Sequence, residues 1–389
     1  MNVPKLRFKE FTGEWEEKRL SNYLYVNTAR NKNNIFNKND VLSVSGEFGI
    51  VNQILFQGRS FAGESVELYH VVETGDIVYT KSPLKANPYG IIKYNSGDAG
   101  IVSTLYAVYH CKPNCSGKFV EYYFDNDLRL NKYLKPLVNI GAKHDMKISD
   151  ENALSGNVIL PSYDEQCKID SFLKIIDERI EKQKDIIDTL SKQKKALMQK
   201  IFSQELRFKD ENGKEFPDWE EKKLGEIFEI KAGGDIDKNH VSKTKEGNFI
   251  YPIYANALIN EGIYGYSDIY KIDNDSITVT GRGDIGVAKA RCGKFYPIVR
   301  LLVLIPKETE DMVFFENLIN YTKKYDESTG VPQLTVPQLS KIKVKVPSFE
   351  EQFKIGELFR SLDAKMEKGK MILKHWQQIK KGLLKQMFV

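Results

Sequence analysis

The sequence predicts an α+β protein in which two mixed α/β domains are separated by two long helices that pair as a coiled coil, the whole forming a pseudo-twofold internal repeat. Three observations predict it. Residues 158–202 (VILPSYDEQCKIDSFLKIIDERIEKQKDIIDTLSKQKKALMQKIF) align without a gap to 344–388 (VKVPSFEEQFKIGELFRSLDAKMEKGKMILKHWQQIKKGLLKQMF), at a constant offset of 186, and a repeat on this scale constrains the architecture before any single element does. Both copies carry apolar residues alternately three and four apart, the signature of a helix with one apolar seam. The intervening blocks, roughly 21–157 and 225–343, instead show short β-branched and aromatic runs broken by Gly, Asn, Asp and Pro, which are strand and turn signals.

Taken in order, the chain opens on LRFKEFTGEWEEKRL (6–20), which returns with a short insertion as LRFKDENGKEFPDWEEKKL (206–224). In the first block, Asp76 to Thr80 (DIVYT) and Ile101 to Tyr109 (IVSTLYAVY) read as strands and Phe119 to Leu134 as a helix. In the second, Ser276 to Thr280 (SITVT) and Ile298 to Ile305 (IVRLLVLI) are the matching strands and Phe314 to Lys324 the helix. Each long helix starts at Pro161-Ser162 or Pro347-Ser348 followed by acidic residues, a start signal that also suits the helix dipole. The first seam is Leu173, Ile176, Ile180, Ile187, Leu190, Leu197 and Ile201, interrupted at Gln183 and Lys194. The second is Phe359, Leu362, Met366, Leu373, Trp376, Leu383 and Met387, interrupted at the equivalent Gly369 and Lys380. Interruptions shared in register imply that both helices meet the same partner geometry. A helix of about 39 residues reaches roughly 58 Å, longer than a helix inside one compact domain. The segmentation expected is 1–157, 158–205, 206–343 and 344–389.

With 389 residues the chain exceeds one ordinary core. The net charge is only +5, from 58 Lys and Arg against 53 Asp and Glu, so a nucleic-acid footprint has to come from local clustering. The opening MNVPKLRFKEF lacks the apolar run of a signal peptide, and Leu301 to Ile305 is far too short to span a bilayer. A cytoplasmic protein without membrane contact is expected. Its four cysteines fit free thiols in a reducing compartment. His110, Cys111 and Cys115 do not make a zinc site, because no second ligand pair with suitable spacing exists.

Several motifs imitate active sites. Gly281, Gly283 and Gly286 in TGRGDIG match a dinucleotide fingerprint, but the fingerprint needs a helix at the last glycine, whereas Gly293 follows after strand-like residues. A glycine-rich turn between strands is expected, with Arg282 in it and Lys289 and Arg291 beyond it, where arginine can fork onto guanine. Asn87, Pro88 and Tyr89 fall one proline short of the loop that holds a target adenine in amino-methyltransferases. Pro217, Asp218, Glu220 and Lys222 imitate a nuclease signature with its acidic groups too close in sequence. No GxxxxGK[ST] phosphate loop occurs. A self-contained adenine methyltransferase or nuclease is therefore disfavoured, and a coiled-coil adaptor that never touches DNA is the remaining alternative.

The duplicated EWEEKRL and DWEEKKL motifs, followed in order by PSYDEQCKI and PSFEEQFKI, resemble the specificity subunit of type I restriction-modification systems. The matching positions are Pro161, Glu165, Gln166 and Ile169, and again Pro347, Glu351, Gln352 and Ile355. The resemblance spans nearly the whole chain and implies two target-recognition domains held apart by two antiparallel helices, with double-stranded DNA as ligand. It implies a non-catalytic subunit that recognises a bipartite asymmetric target. Two methyltransferase (modification) subunits would carry S-adenosylmethionine, and restriction/translocase subunits would use ATP and Mg, none of these being bound by this chain. The family's recognition elements correspond to GRGDIG and to Gly330 to Leu334 (GVPQL). Candidate DNA contacts are accordingly Arg282, Lys289, Arg291 and Gln333 in the second domain, and Lys81, Lys85, Asn87 and Tyr89 in the loop after DIVYT in the first.

Overall fold

The computed structural model describes residues 2–140, 146–322 and 333–389; the first three residues of GVPQL lie outside them. The chain divides into two units, one formed by residues 1–183 with 372–389 and the other by residues 184–371. The division falls within both long helices, Tyr163–Phe202 and Phe349–Gln386. Each unit thus owns one opening motif, one α/β block and a half of each helix.

In the first unit a four-stranded antiparallel sheet has the order Leu24–Val26, Tyr106–Cys111, Ile77–Thr80, Ile92–Tyr94. The second unit repeats that order with Phe228–Ala232, Leu301–Pro306, Ser276–Thr280 and Ala288–Arg291. The strands Ile77–Thr80 and Ser276–Thr280 are buried along their whole length: Ile77, Val78 and Tyr79 are inaccessible, as are Ile277 and Val279, and the hydroxyl residues Thr80, Ser276, Thr278 and Thr280 are buried with them. Two expected elements are divided. Residues 101–109 form two strands, because the turn from Ser103 O to Tyr106 N (3.0 Å) ends one before the next begins. The helix expected at 119–134 is two helices, Gly117–Phe124 and Asp127–Leu134, since Asn126 accepts from Arg129 N (3.1 Å) and caps a new start.

The opening motifs are structural joints. Glu16–Arg19 pairs antiparallel with Asn157–Leu160, and Glu220–Lys223 with Lys343–Val346. The family-like glutamates are the pins. Glu165 accepts from Arg7 Nη2 (2.7 Å), Arg7 Nε (2.8 Å) and Trp15 Nε1 (3.3 Å); Glu351 accepts from Arg207 Nη2 (2.7 Å) and Trp219 Nε1 (3.1 Å). The glutamines bind helix to block: Gln166 Oε1 accepts from Ser116 N (3.0 Å) and Gln352 Oε1 from Asp311 N (3.2 Å). Ile169 and Ile355 are buried beside them. The motif that marks the sequence is therefore the one that fastens each block to its helix.

Within each unit the two helix halves meet through the same ion pair. Lys380 Nζ lies 2.8 Å from Asp177 in the first unit, and Lys194 Nζ lies 2.6 Å from Asp363 in the second. Both lysines were seam interruptions, and each partner is the other's aspartate at the repeat offset. The apolar seam is closed at its outer ends, where Leu173, Ile176, Ile180 and Met387 are buried in the first unit and Ile201, Phe359 and Leu362 in the second. Ile187, Leu190, Leu197, Met366, Leu373, Trp376 and Leu383 are half-buried. No described helix is long and apolar enough to cross a membrane.

One buried group should make the first unit acid-sensitive. His70 is buried, its Nδ1 has no hydrogen-bond partner, and burial followed by the charge of Arg30 pushes its pKa down to about 4. The folded unit holds it neutral while the unfolded chain takes up a proton below about 6.5, so this contribution is full above that pH and falls away toward pH 4. The loss should be on the order of 2–3 kcal/mol. Denaturant titrations at pH 7.5 and 5 should show it, and His70→Gln should flatten it; an equal loss in the variant would assign the acid sensitivity elsewhere.

Candidate nucleic-acid interface

The loops singled out in the two blocks occupy the same place. Residues 81–91 connect Ile77–Thr80 to Ile92–Tyr94, and residues 281–287 connect Ser276–Thr280 to Ala288–Arg291, both as antiparallel hairpins. The TGRGDIG segment is thus a turn between strands, with Gly283 and Gly286 at φ of 74° and 75°.

In the second unit three segments converge on that turn. Asn256 clamps it from below: its Oδ1 accepts from Gly281 N (2.7 Å) and Arg282 N (3.1 Å), and its Nδ2 donates to Arg282 O (2.6 Å). Leu334 N donates to Gly281 O (2.8 Å), and Arg300 Nη1 donates to Gln333 Oε1 (2.7 Å). Only glycine fits at 281, since a Cβ there would lie 2.6 Å from Arg300 O. The result is an open cleft of about 420 Å³ whose lining includes Asn256, Thr280, Arg282, Asp284 and Arg300. The side chains of Arg282, Asp284 and Arg300 are exposed.

The other second-unit candidates divide by burial. Lys289 is exposed and lies 3.4 Å from Glu316. Arg291 is buried, with Nε donating to Thr278 Oγ1 (3.0 Å), Nη2 to Glu261 O (2.7 Å) and its guanidinium 3.8 Å from the Tyr254 ring centroid. Burial lowers its pKa, and its donors are committed inside the unit. Gln333 is exposed, and its amide oxygen is committed to Arg300.

In the first unit the loop is held by its own polar groups. Lys81 is ion-paired to Asp150, Asn87 Nδ2 donates to Asp127 Oδ1 (2.9 Å), and Tyr89 O accepts from Tyr79 Oη (2.7 Å). Lys85 is the one of the four that is exposed, next to Leu84. Leu84 borders a cleft of about 480 Å³ whose other lining residues include Ser43, Gln53, Phe56, Gln57, Phe61 and Tyr106. Arg59 stands at this rim, 4.6 Å from the Phe61 ring centroid. Asn256, Asp284 and Arg300 in one unit and Arg59 and Gln57 in the other also border these clefts, and the sequence alone did not single them out. Arg300 was hidden inside an expected strand over 298–305, whereas the strand begins at Leu301.

A sequence model of the family described as type I restriction modification DNA specificity domain matches residues 217–374. The C-terminal part of a putative type I specificity subunit of Mycoplasma pneumoniae is 33% identical over 97 residues, which cover 25% of this chain and 67% of that protein. The chain belongs to the type I specificity subunits. Another putative type I specificity subunit of Mycoplasma pneumoniae is 32% identical over 140 residues, 36% of this chain and 42% of the relative, so the match spans less than half of that protein's length. The crystal structure of a type I restriction-modification system S subunit from M. genitalium covers 100% of this chain and 99% of its own, with a TM-score of 0.64 at 19% identity. That likeness establishes the shared fold of these specificity subunits: two α/β units and long helices.

Proposed function

We propose that the chain recognises a bipartite, asymmetric double-stranded DNA target, one half-site per recognition block, and positions two modification subunits and the restriction subunits of a type I complex on it. The chain itself is non-catalytic and works in the cytoplasm. S-adenosylmethionine, ATP and Mg belong to the partner subunits. One observation carries this reading: the same sheet order and the same hairpin loop occur twice on repeated joints, yet the loops present different side chains. Two modules of one fold with unlike tips read two unlike half-sites. Among the candidates, Lys85, Arg282 and Lys289 are exposed enough to meet DNA, whereas Lys81 and Asn87 are tied to Asp150 and Asp127, Tyr89 packs against the core and Arg291 is buried on its strand.

Single-molecule sequencing of methylated adenines, in cells with and without this chain but with its modification subunit present, tests the reading. A bipartite motif with two unlike halves should appear only with the chain. A palindromic motif, or methylation indifferent to the chain, would overturn it.

A further inference from the structure

We infer that the second unit's cleft reads a G·C base pair, with Arg300 as a base-reading residue alongside Arg282 and with Gln333 as the residue that positions Arg300 rather than as a DNA contact; this rests on the DNA-recognition reading above. Arg300 and Arg282 come from different strand ends and border one cleft. Each is fixed where it leaves the fold, Arg282 through its backbone by Asn256 and Arg300 through its guanidinium by Gln333. Among the described residues Arg300 is held by the bond from Nη1 to Gln333 Oε1, and a held fork suits the O6 and N7 acceptors of guanine in the major groove.

Phosphate gripping is the ordinary alternative for exposed arginine, and Asp284 argues against it. Its carboxylate is exposed in the same cleft, where it would repel a phosphate but can accept from the N4 amino group of the paired cytosine. One fork and one carboxylate match the two acceptors and the single donor that a G·C pair presents in the major groove, and the second fork suits a neighbouring guanine. The first unit's cleft has no acid among its lining residues, and its one nearby arginine, Arg59, lies over the Phe61 ring at the rim, so the pairing of arginine with a carboxylate belongs to the second half-site.

The test uses the full chain in its complex with modification subunits and a duplex library built on the mapped motif, each position varied. The wild-type motif should contain a G·C pair in the half-site that depends on residues 206–343; a second half-site without one overturns the inference while leaving bipartite recognition intact. Loss of a bipartite motif altogether would instead remove the reading on which it rests, and the wild type alone reveals that. Arg300→Ala should relax one G·C position, lowering preference there by about 5- to 150-fold, and leave the first half-site unchanged. Arg300→Lys, which keeps the charge but loses the fork, should relax the same position. Gln333→Leu should relax that position and no other, and Arg300→Ala with Gln333→Leu should be no worse than Arg300→Ala alone. Equal weakening for all sequences with a shallower salt dependence would make Arg300 a phosphate contact. A double variant that loses a second position would make Gln333 a contact of its own.

Discussion

Replacing Glu351 by leucine should destabilise the second unit by about 3–5 kcal/mol, the usual effect of removing one member of a buried charged pair. The carboxylate is fully buried and receives Arg207 Nη2 at 2.7 Å and Trp219 Nε1 at 3.1 Å. Leucine fills most of the space but leaves the Trp219 indole N–H without its acceptor and the half-buried Arg207 guanidinium without its buried carboxylate, held by the carbonyls of Phe216 and Pro217, which is costlier than never having had the pair. The denaturant midpoint of that unit should fall accordingly. Adding Arg207→Met should recover part of the loss, since an apolar pair leaves no buried charge behind. A single variant that costs under about 1 kcal/mol, the range of an exposed ion pair, would show that the joint is held by strand pairing instead.

Gly90→Ala should be comparably severe in the first unit and selective in its functional result. A Cβ at Gly90 would lie 1.9 Å from the carbonyl oxygen of Thr80, and the backbone there has a φ of +90°. Both the contact and the left-handed conformation oppose a side chain, so the strand end has to open, at a cost of about 3 kcal/mol or more. The loop carrying Lys85 would be displaced with it. Methylation mapping should then show the first half-site relaxed and the second retained. Wild-type stability together with an unchanged motif would disprove the strain argument.

The joints were legible because they are repeated. Glu165 and Glu351, Gln166 and Gln352, and Lys194 and Lys380 stand at the same offset, and the structure gives each pair the same partner twice. The seam was legible through its period, since burial along a helix follows spacing. The site was harder to read. Lys81, Asn87 and Tyr89 look like a polar tip, but their partners Asp150, Asp127 and Tyr79 lie 69, 40 and 10 residues away in sequence. Residue type alone cannot separate a free cation from one already paired. Arg291, named among the candidate contacts, is buried for a reason that strand alternation does not reveal: Glu261 and Tyr254 pack against it. Arg300 and Asn256 belong to segments brought beside the glycine turn only by tertiary packing, where Gly281 permits the backbone of Arg300 to approach.

The way the helices are shared also sets an order of completion during synthesis. The second unit is one continuous stretch of chain, residues 184–371. The first, although it begins to emerge earlier, draws Leu384, Met387 and Phe388 into its core and receives a hydrogen bond from Leu6 N at Gln386 O (2.9 Å). Domains ordinarily close in the order the ribosome delivers them. Here the N-terminal block has to wait, its Trp15 and Phe119 without the ring of Phe388 that packs against both, until residues 384–388 have been translated, so it closes after the second unit although it starts before it.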